Sequence, residues 1–285
     1  MKVLLVSSED PASLNIRDRL LEEAEWETVG AFGGSPVLRH GDLLMYQKTG
    51  THLYFENVDI EIAEHASREL GMVKVPREGP PLELIVFLSR HRSEMDVRSL
   101  TVHPPGNYLQ ADFGGEPGKL PLSAPREMTS ALKALYKEKK ALGLADRTTY
   151  EVTHHGPLLS SPCFFIEIGS NETRWEIPEL GKAIARALLS EALNSTEEDL
   201  PIAIGIGGGH YAPRFTDRAM RNKFAFGHMV PDYILEAADD LRAVIENARS
   251  RTPGAEYAFL HRSRSNEDII RHVPDLLDEL DLKMV

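Results

Sequence analysis

Hydrophobic positions along the chain form short unbroken apolar runs that alternate with stretches of helical period. Lys2 to Ser7, Leu82 to Leu88, Thr149 to Thr153, Phe164 to Ile168, Ile202 to Ile206 and Tyr257 to Leu260 read as buried strands. Helical spacing marks Ala12 to Glu25, Val58 to Leu70, Arg126 to Leu142, Pro178 to Leu193, about 232 to 249 and about 266 to 281. Leu43 to Gln47 and His52 to Phe55, flanking Lys48-Thr49-Gly50, predict a hairpin. Segment 101–125 is rich in Pro and Gly and has no helical period, so a long irregular stretch is expected there. Strands alternating with helices predict an α/β fold: a three-layer α/β/α arrangement around a mixed, largely parallel sheet. The chain is read as one domain, 1–285, with room for a second, smaller α/β lobe packed closely against the first.

The most informative stretch is Pro201 to Phe215, PIAIGIGGGHYAPRF. An apolar strand breaks into Gly207, Gly208 and Gly209, which permit positive φ and close approach to the main chain, then delivers His210, Tyr211 and Arg214. It is not a phosphate loop of the GxxxxGK[ST] type. Other strand ends also discharge into histidine: His91 in the Ser89-Arg90-His91-Arg92 run, His154 with His155, and His228 after Phe226-Gly227. Taken singly, each is an ordinary hydrogen-bonded side chain. Brought to one edge of a sheet, they would supply bases, acids or metal ligands near neutral pH. Glu167 and Asp217 are candidate carboxylate partners, and backbone N–H groups of Gly207 to Gly209 could serve a developing oxyanion. Adjacent residues of a strand point to opposite faces, so only one of His154 and His155 is expected in a site. No HExxH, paired CxxC or GxSxG motif is present. Ser160 and Ser161 have no elbow around them, and Cys163 beside two phenylalanines reads as a buried thiol. Water is the better nucleophile.

The net charge of −12 argues against sequence-blind binding to DNA or to an anionic membrane. Lys133, Lys137, Lys139 and Lys140 on one helix are a solvated face or a local meeting point for RNA phosphates. A single cysteine fits a reducing compartment, and no apolar run is long enough for a signal peptide or a membrane span. A soluble, cytoplasmic, monomeric protein is expected.

The chain resembles the archaeal and plant type of D-aminoacyl-tRNA deacylase, the GEKO1-related family, over essentially its whole length. The stretches that carry the resemblance are MKVLLVSSEDPAS at the start, FLSRHRS at 87–93, LTVHPPGN at 100–107, VTHHGP at 152–157, IGIGGGHYAPRFT at 204–216 and FGHMVPDY at 226–233. The resemblance implies hydrolysis of the ester joining a D-amino acid to the tRNA 3′ end, a zinc requirement, and a phosphorylase/hydrolase-like fold related to peptidyl-tRNA hydrolase. Carried onto this sequence, it implies catalytic roles for His154, His155 and His210. Substrate would be bound by Arg90, His103, Gly207, Gly208, Gly209, Tyr211 and Arg214. The metal candidates are His91, His154, His210 and His228. Two other readings fit the same residues: a zinc peptidase or amidohydrolase acting on small molecules, and a non-catalytic module that binds a nucleotide or an RNA end.

Overall fold

The computed structural model describes residues 1–72, 78–194, 200–263 and 266–285. Its larger sheet has eight strands: β1 (Lys2–Ser7), β2 (Glu27–Phe32), β3 (Ser35–His40), β4 (Leu43–Lys48), β5 (Leu84–Arg92), β6 (Ser99–His103), β7 (Arg147–Tyr150) and β8 (Cys163–Ser170), in the order β2-β3-β4-β1-β5-β8-β6-β7. The centre, β4-β1-β5-β8, is parallel; β2, β3 and β4 are joined antiparallel, and β6 runs antiparallel to β8. A second sheet, wholly parallel, is built from β9 (Ile202–Ile206), β10 (Ala225–Val230), β11 (Ala255–Leu260) and β12 (Lys283–Met284), in the order β10-β9-β11-β12. The result is the mixed, largely parallel α/β architecture that the apolar pattern predicts.

Side-chain alternation divides the larger sheet into two faces. On one, Leu4, Val6, Val86, Leu88, Phe164, Ile166 and Ile168 pack under the helices Pro11–Glu23, Pro125–Ala141 and Pro178–Leu189. The same core continues into the second sheet through Ala203, Phe215, Phe226 and Phe259. On the other face, Val3, Leu5, Ile85, Phe87 and Phe165 pack against the helix Val58–Arg68. That helix covers only part of this face. The rest carries the polar cluster described below.

Four local expectations change. The hairpin at 43–55 is absent: β4 pairs with β1 and β3, and His52–Tyr54 is a 3-10 turn. The apolar character of 52–55 serves packing rather than a ladder, since the His52 ring sits edge-on to Phe55, Phe87 and Phe165 and its Nε2 lies 3.1 Å from the Leu5 carbonyl. The true hairpins turn at Gly33-Gly34 and at Gly41, all with positive φ. Segment 101–125 begins inside β6, a fully buried strand, before becoming irregular. The two C-terminal helices are each broken in two, Asp232–Ala237 from Leu241–Ser250 and Glu267–Ile270 from Val273–Glu279. At the first break Asp240 caps the new helix by accepting from the Ala243 amide, 3.0 Å away.

Candidate active site

Strand register assembles the floor of the site. Glu167 on β8 is flanked by Ser89 of β5 on one side and Thr101 of β6 on the other. Alternation from Phe87 and Phe165 puts Ser89, His91, Thr101, His103 and Glu167 on one face. Because the strands run in both directions, the histidines converge on this face and not on one edge. Beyond β7 the chain delivers Glu151, His154 and His155, and the loop after β9 lays His210 and Tyr211 over them. The Val152 amide donates to the His210 carbonyl at 3.0 Å, which fixes one loop on the other.

The polar groups are close and poorly paired. Glu151 is fully buried, and its Oε2 lies 3.1 Å from His210 Nε2, 3.3 Å from His91 Nδ1 and 3.6 Å from His154 Nε2. Glu167 Oε2 lies 3.5 Å from His103 Nε2 and 3.7 Å from His91 Nδ1. His154 Nδ1 donates to the Val152 carbonyl at 2.8 Å, so in its neutral ring Nε2 carries the lone pair and faces a Glu151 oxygen; His103 Nδ1 faces the Pro104 carbonyl at 3.3 Å. Both oxygens of Glu151, Glu167 Oε2, His103 Nε2, His155 Nδ1 and His210 Nε2 have no hydrogen-bond partner. Such a set is satisfied by a shared cation. Three triads, His103-His154-His155, His91-Glu151-His210 and His103-Glu151-Glu167, hold their ligand atoms within 4.8 Å of one another. Histidine and carboxylate donors in threes suit zinc.

Both adjacent histidines belong to the cluster, contrary to the strand expectation. His155 has φ 34°, and this turn brings its ring to 4.1 Å, between centroids, from that of His154 and to 5.1 Å from that of His103. Burial and the neighbouring imidazoles hold His154 and His155 well below the usual histidine range, so both are neutral at pH 7. Burial would also depress His103, but the Glu167 and Glu151 carboxylates and the Pro104 carbonyl together outweigh it and raise the ring. At Glu151 burial pushes the carboxyl up, and His210, His91 and His103 together reverse this and hold it down.

Above this floor is a cavity of about 990 Å³, lined by Arg90, His91, Arg92, His154, His155, Glu167, Gly209, His210 and Tyr211 among others. Tyr211 Oη lies 3.1 Å from His91 Nε2, and burial raises its pKa.

Several expected residues lie elsewhere. His228 is buried in β10, with Nε2 2.9 Å from the Pro121 carbonyl and Nδ1 3.1 Å from Thr153 Oγ1; both nitrogens are engaged, so it is no ligand of this cluster. The Gly207 amide donates to Val230 and the Gly208 amide to Asp232 Oδ1, both at 2.8 Å, which removes them as oxyanion donors. These glycines instead admit the neighbouring strand: a Cβ would come within 2.6 Å of the His261 carbonyl at Gly207 and 2.5 Å of its ring at Gly208. Arg214 is exposed on the following helix and does not line the cavity. Asp217 pairs with Arg221, and the Ser160 and Ser161 amides donate to Asp59. Lys133 and Lys139 are held by Asn222 and the Asp146 carbonyl, and no lysine of that helix lines the cavity. The residue that sequence reasoning missed is Glu151. Its signal was a carboxylate directly after a strand and three positions before a histidine pair.

The family described as D-aminoacyl-tRNA deacylase matches residues 78–285. A D-aminoacyl-tRNA deacylase of Methanosarcina acetivorans is 38% identical over 99% of this chain and 91% of its own length. One from Thermococcus onnurineus is 39% identical over 82% and 81%. The crystal structure of a conserved protein of unknown function, AF0625, superposes with a TM-score of 0.83 at 28% identity, covering 100% of this chain and 94% of that one. With a buried histidine–glutamate floor under a large cavity and relatives aligned along nearly its full length, this chain belongs to the D-aminoacyl-tRNA deacylase family.

Proposed function

We propose that this chain hydrolyses the ester bond of D-aminoacyl-tRNA, releasing the D-amino acid and a tRNA ready for correct charging. The observation that carries the chemistry is the buried ring of imidazoles around Glu151 and Glu167, at the foot of a cavity large enough for an aminoacyl-adenosine end. Its substrate is an activated ester, so the site has to supply a base, a positioned water and a stabilised oxyanion.

His154 supplies the base. Its Nδ1–H is locked on the Val152 carbonyl, and its neutral Nε2 is available to take a proton from water. His210 and His155 border the same cavity and set the direction of that water. Tyr211 keeps its proton and offers a hydroxyl donor at the cavity wall, the role that the Gly207 and Gly208 amides cannot fill. Glu151 and Glu167 offset the positive charge that gathers on the histidines as protons move. The donor set also fits zinc: His103, Glu151 and Glu167, or His91, Glu151 and His210, would hold it and leave His154 Nε2 free as the base, and a bound zinc ion supplies Lewis acidity toward an ester carbonyl.

Hydrolysis of matched D- and L-tyrosyl-tRNA by the purified protein is the test. Cleavage of the D-ester alone, lost in folded His154→Ala, His155→Ala and His210→Ala proteins, is the expected result. Full activity in all three variants sinks the mechanism, and no cleavage of either ester sinks the function.

A further inference from the structure

The end of β5 gives the cavity a cationic rim as well as a floor. In Ser89-Arg90-His91-Arg92, alternation sends Ser89 and His91 to the floor and Arg90 and Arg92 to the opposite face. Both guanidinium groups settle on one indole: Arg90 Cζ lies 5.2 Å and Arg92 Cζ 5.0 Å from the centre of the Trp175 ring. Trp175 is buried and anchored, its Nε1 donating to the His91 carbonyl at 3.1 Å. The same indole therefore supports the arginines and steadies the main chain of a floor residue. The Arg90 amide is held in turn by Asp10 Oδ2 at 3.0 Å. Because β5 stops at Arg92, both faces of the strand border the cavity, and Arg90 and Arg92 line it beside His91.

Two like charges on one ring repel each other. Arg92 forms an ion pair with Glu172, but among the described residues no carboxylate lies within ion-pair distance of Arg90. Arg90 thus keeps a guanidinium with no ion-pair partner among the described residues, on a wall that Asp10 and Glu94 also line, in a chain of net charge −12 and above a floor that holds two carboxylates. A guanidinium stacked on an aromatic face still points its N–H donors outward in its own plane, the geometry that meets two oxygens of one anion at once. The ester of an aminoacyl-tRNA is uncharged, whereas the nucleotide that carries it brings a phosphodiester. The cationic arginines match the negative charge of that phosphodiester.

We propose that Arg90 and Arg92, seated on Trp175, form a phosphate subsite that grips the phosphodiester on the 5′ side of the tRNA's terminal nucleotide and so sets the ester against the histidine floor. This inference rests on the deacylase reading above. It assigns the two arginines to binding and not to chemistry, with Trp175 as the group that positions them.

The test compares D-tyrosyl-tRNA with two minimal esters, 3′-O-D-tyrosyl-adenosine and its 5′-monophosphate. The readout is the ratio of kcat/KM for the phosphorylated ester to that for the unphosphorylated one. Arg90→Gln and Arg92→Gln each lower that ratio about tenfold, through KM, as expected for loss of one charge-assisted contact. Arg90→Lys, which keeps the charge but not the fork, restores part of it. Arg92 is exposed, so its variant keeps the test valid if Arg90→Gln folds poorly. An unchanged ratio in Arg92→Gln, with D-tyrosyl-tRNA still cleaved by the parent protein, overturns the subsite and leaves the deacylase reading standing. A parent protein that cleaves none of the D-esters overturns both.

Discussion

His210 Nε2 stands 3.1 Å from Glu151 Oε2, and this contact joins the two sheets at the reaction centre. His210 follows β9 of the smaller sheet, and Glu151 follows β7 of the larger one. A bridge between Glu151 and Tyr211 and the Val152 to His210 hydrogen bond hold the two loops together. The site thus lies on the seam between the sheets.

Glu151→Gln removes the one charge that His91, His154 and His210 share, while nearly preserving shape. Ester hydrolysis is expected to fall by about 10² or more, in line with loss of positioned acid–base catalysis. D-tyrosyl-tRNA turnover checks this directly. Activity within a factor of three of the parent protein would contradict the role given to Glu151.

Removal of divalent metal should act on the same cluster. Treatment with a chelator is expected to abolish D-ester hydrolysis and zinc to restore it, since partnerless nitrogen and carboxylate atoms face one another across the floor. Bound zinc measured by mass spectrometry should decrease in His103→Ala and Glu151→Ala. A fully active, metal-free protein would assign catalysis to the imidazoles alone.

Gly208→Ala tests what the glycine turn is for. Gly208 has φ 95°, and an added Cβ would stand 2.5 Å from the His261 ring. Strain of this kind costs about 1–3 kcal/mol. A lower urea midpoint is expected, together with reduced turnover, because the turn also carries His210. A variant with unchanged stability would show that the loop has slack.

His228 makes stability depend on pH. Burial depresses it from 6.5 to about 4, so between those values the unfolded chain binds a proton that the folded chain refuses. Its contribution is fully present above pH 6.5 and is lost as pH falls toward 4, by roughly 3 kcal/mol at about 1.4 kcal/mol per unit. His52, pushed down to about 3 by burial, acts with the same sign. Urea midpoints between pH 7.5 and 4 should fall steadily in the parent protein and less steeply in His228→Gln. Parallel curves would refute the assignment.

The strands easiest to read in the sequence were those buried on both faces. β1, β8 and β9 are near-continuous apolar runs, and nothing competes with that signal. β2 and β3 were not legible because they form the exposed end of the sheet and carry few apolar residues. β6, SLTVH, was hidden by the prolines that follow it at 104 and 105. For the site, the histidines read at strand ends that the structure draws together are His91, His154, His155 and His210. The His154-His155 arrangement depended on one residue's backbone turning left-handed, which no spacing rule encodes. His228 misled because a histidine engaged by a carbonyl and a threonine hydroxyl is spelled like one that is available.

The seam position has a thermodynamic consequence. Anything that binds the ring of histidines and carboxylates touches both sheets, so its binding energy is also cohesion between them. Ligand affinity and the stiffness of the joint are then two readings of one linked equilibrium: a substitution that loosens the seam far from the cavity weakens binding, and a ligand in the cavity quiets motion along the whole joint.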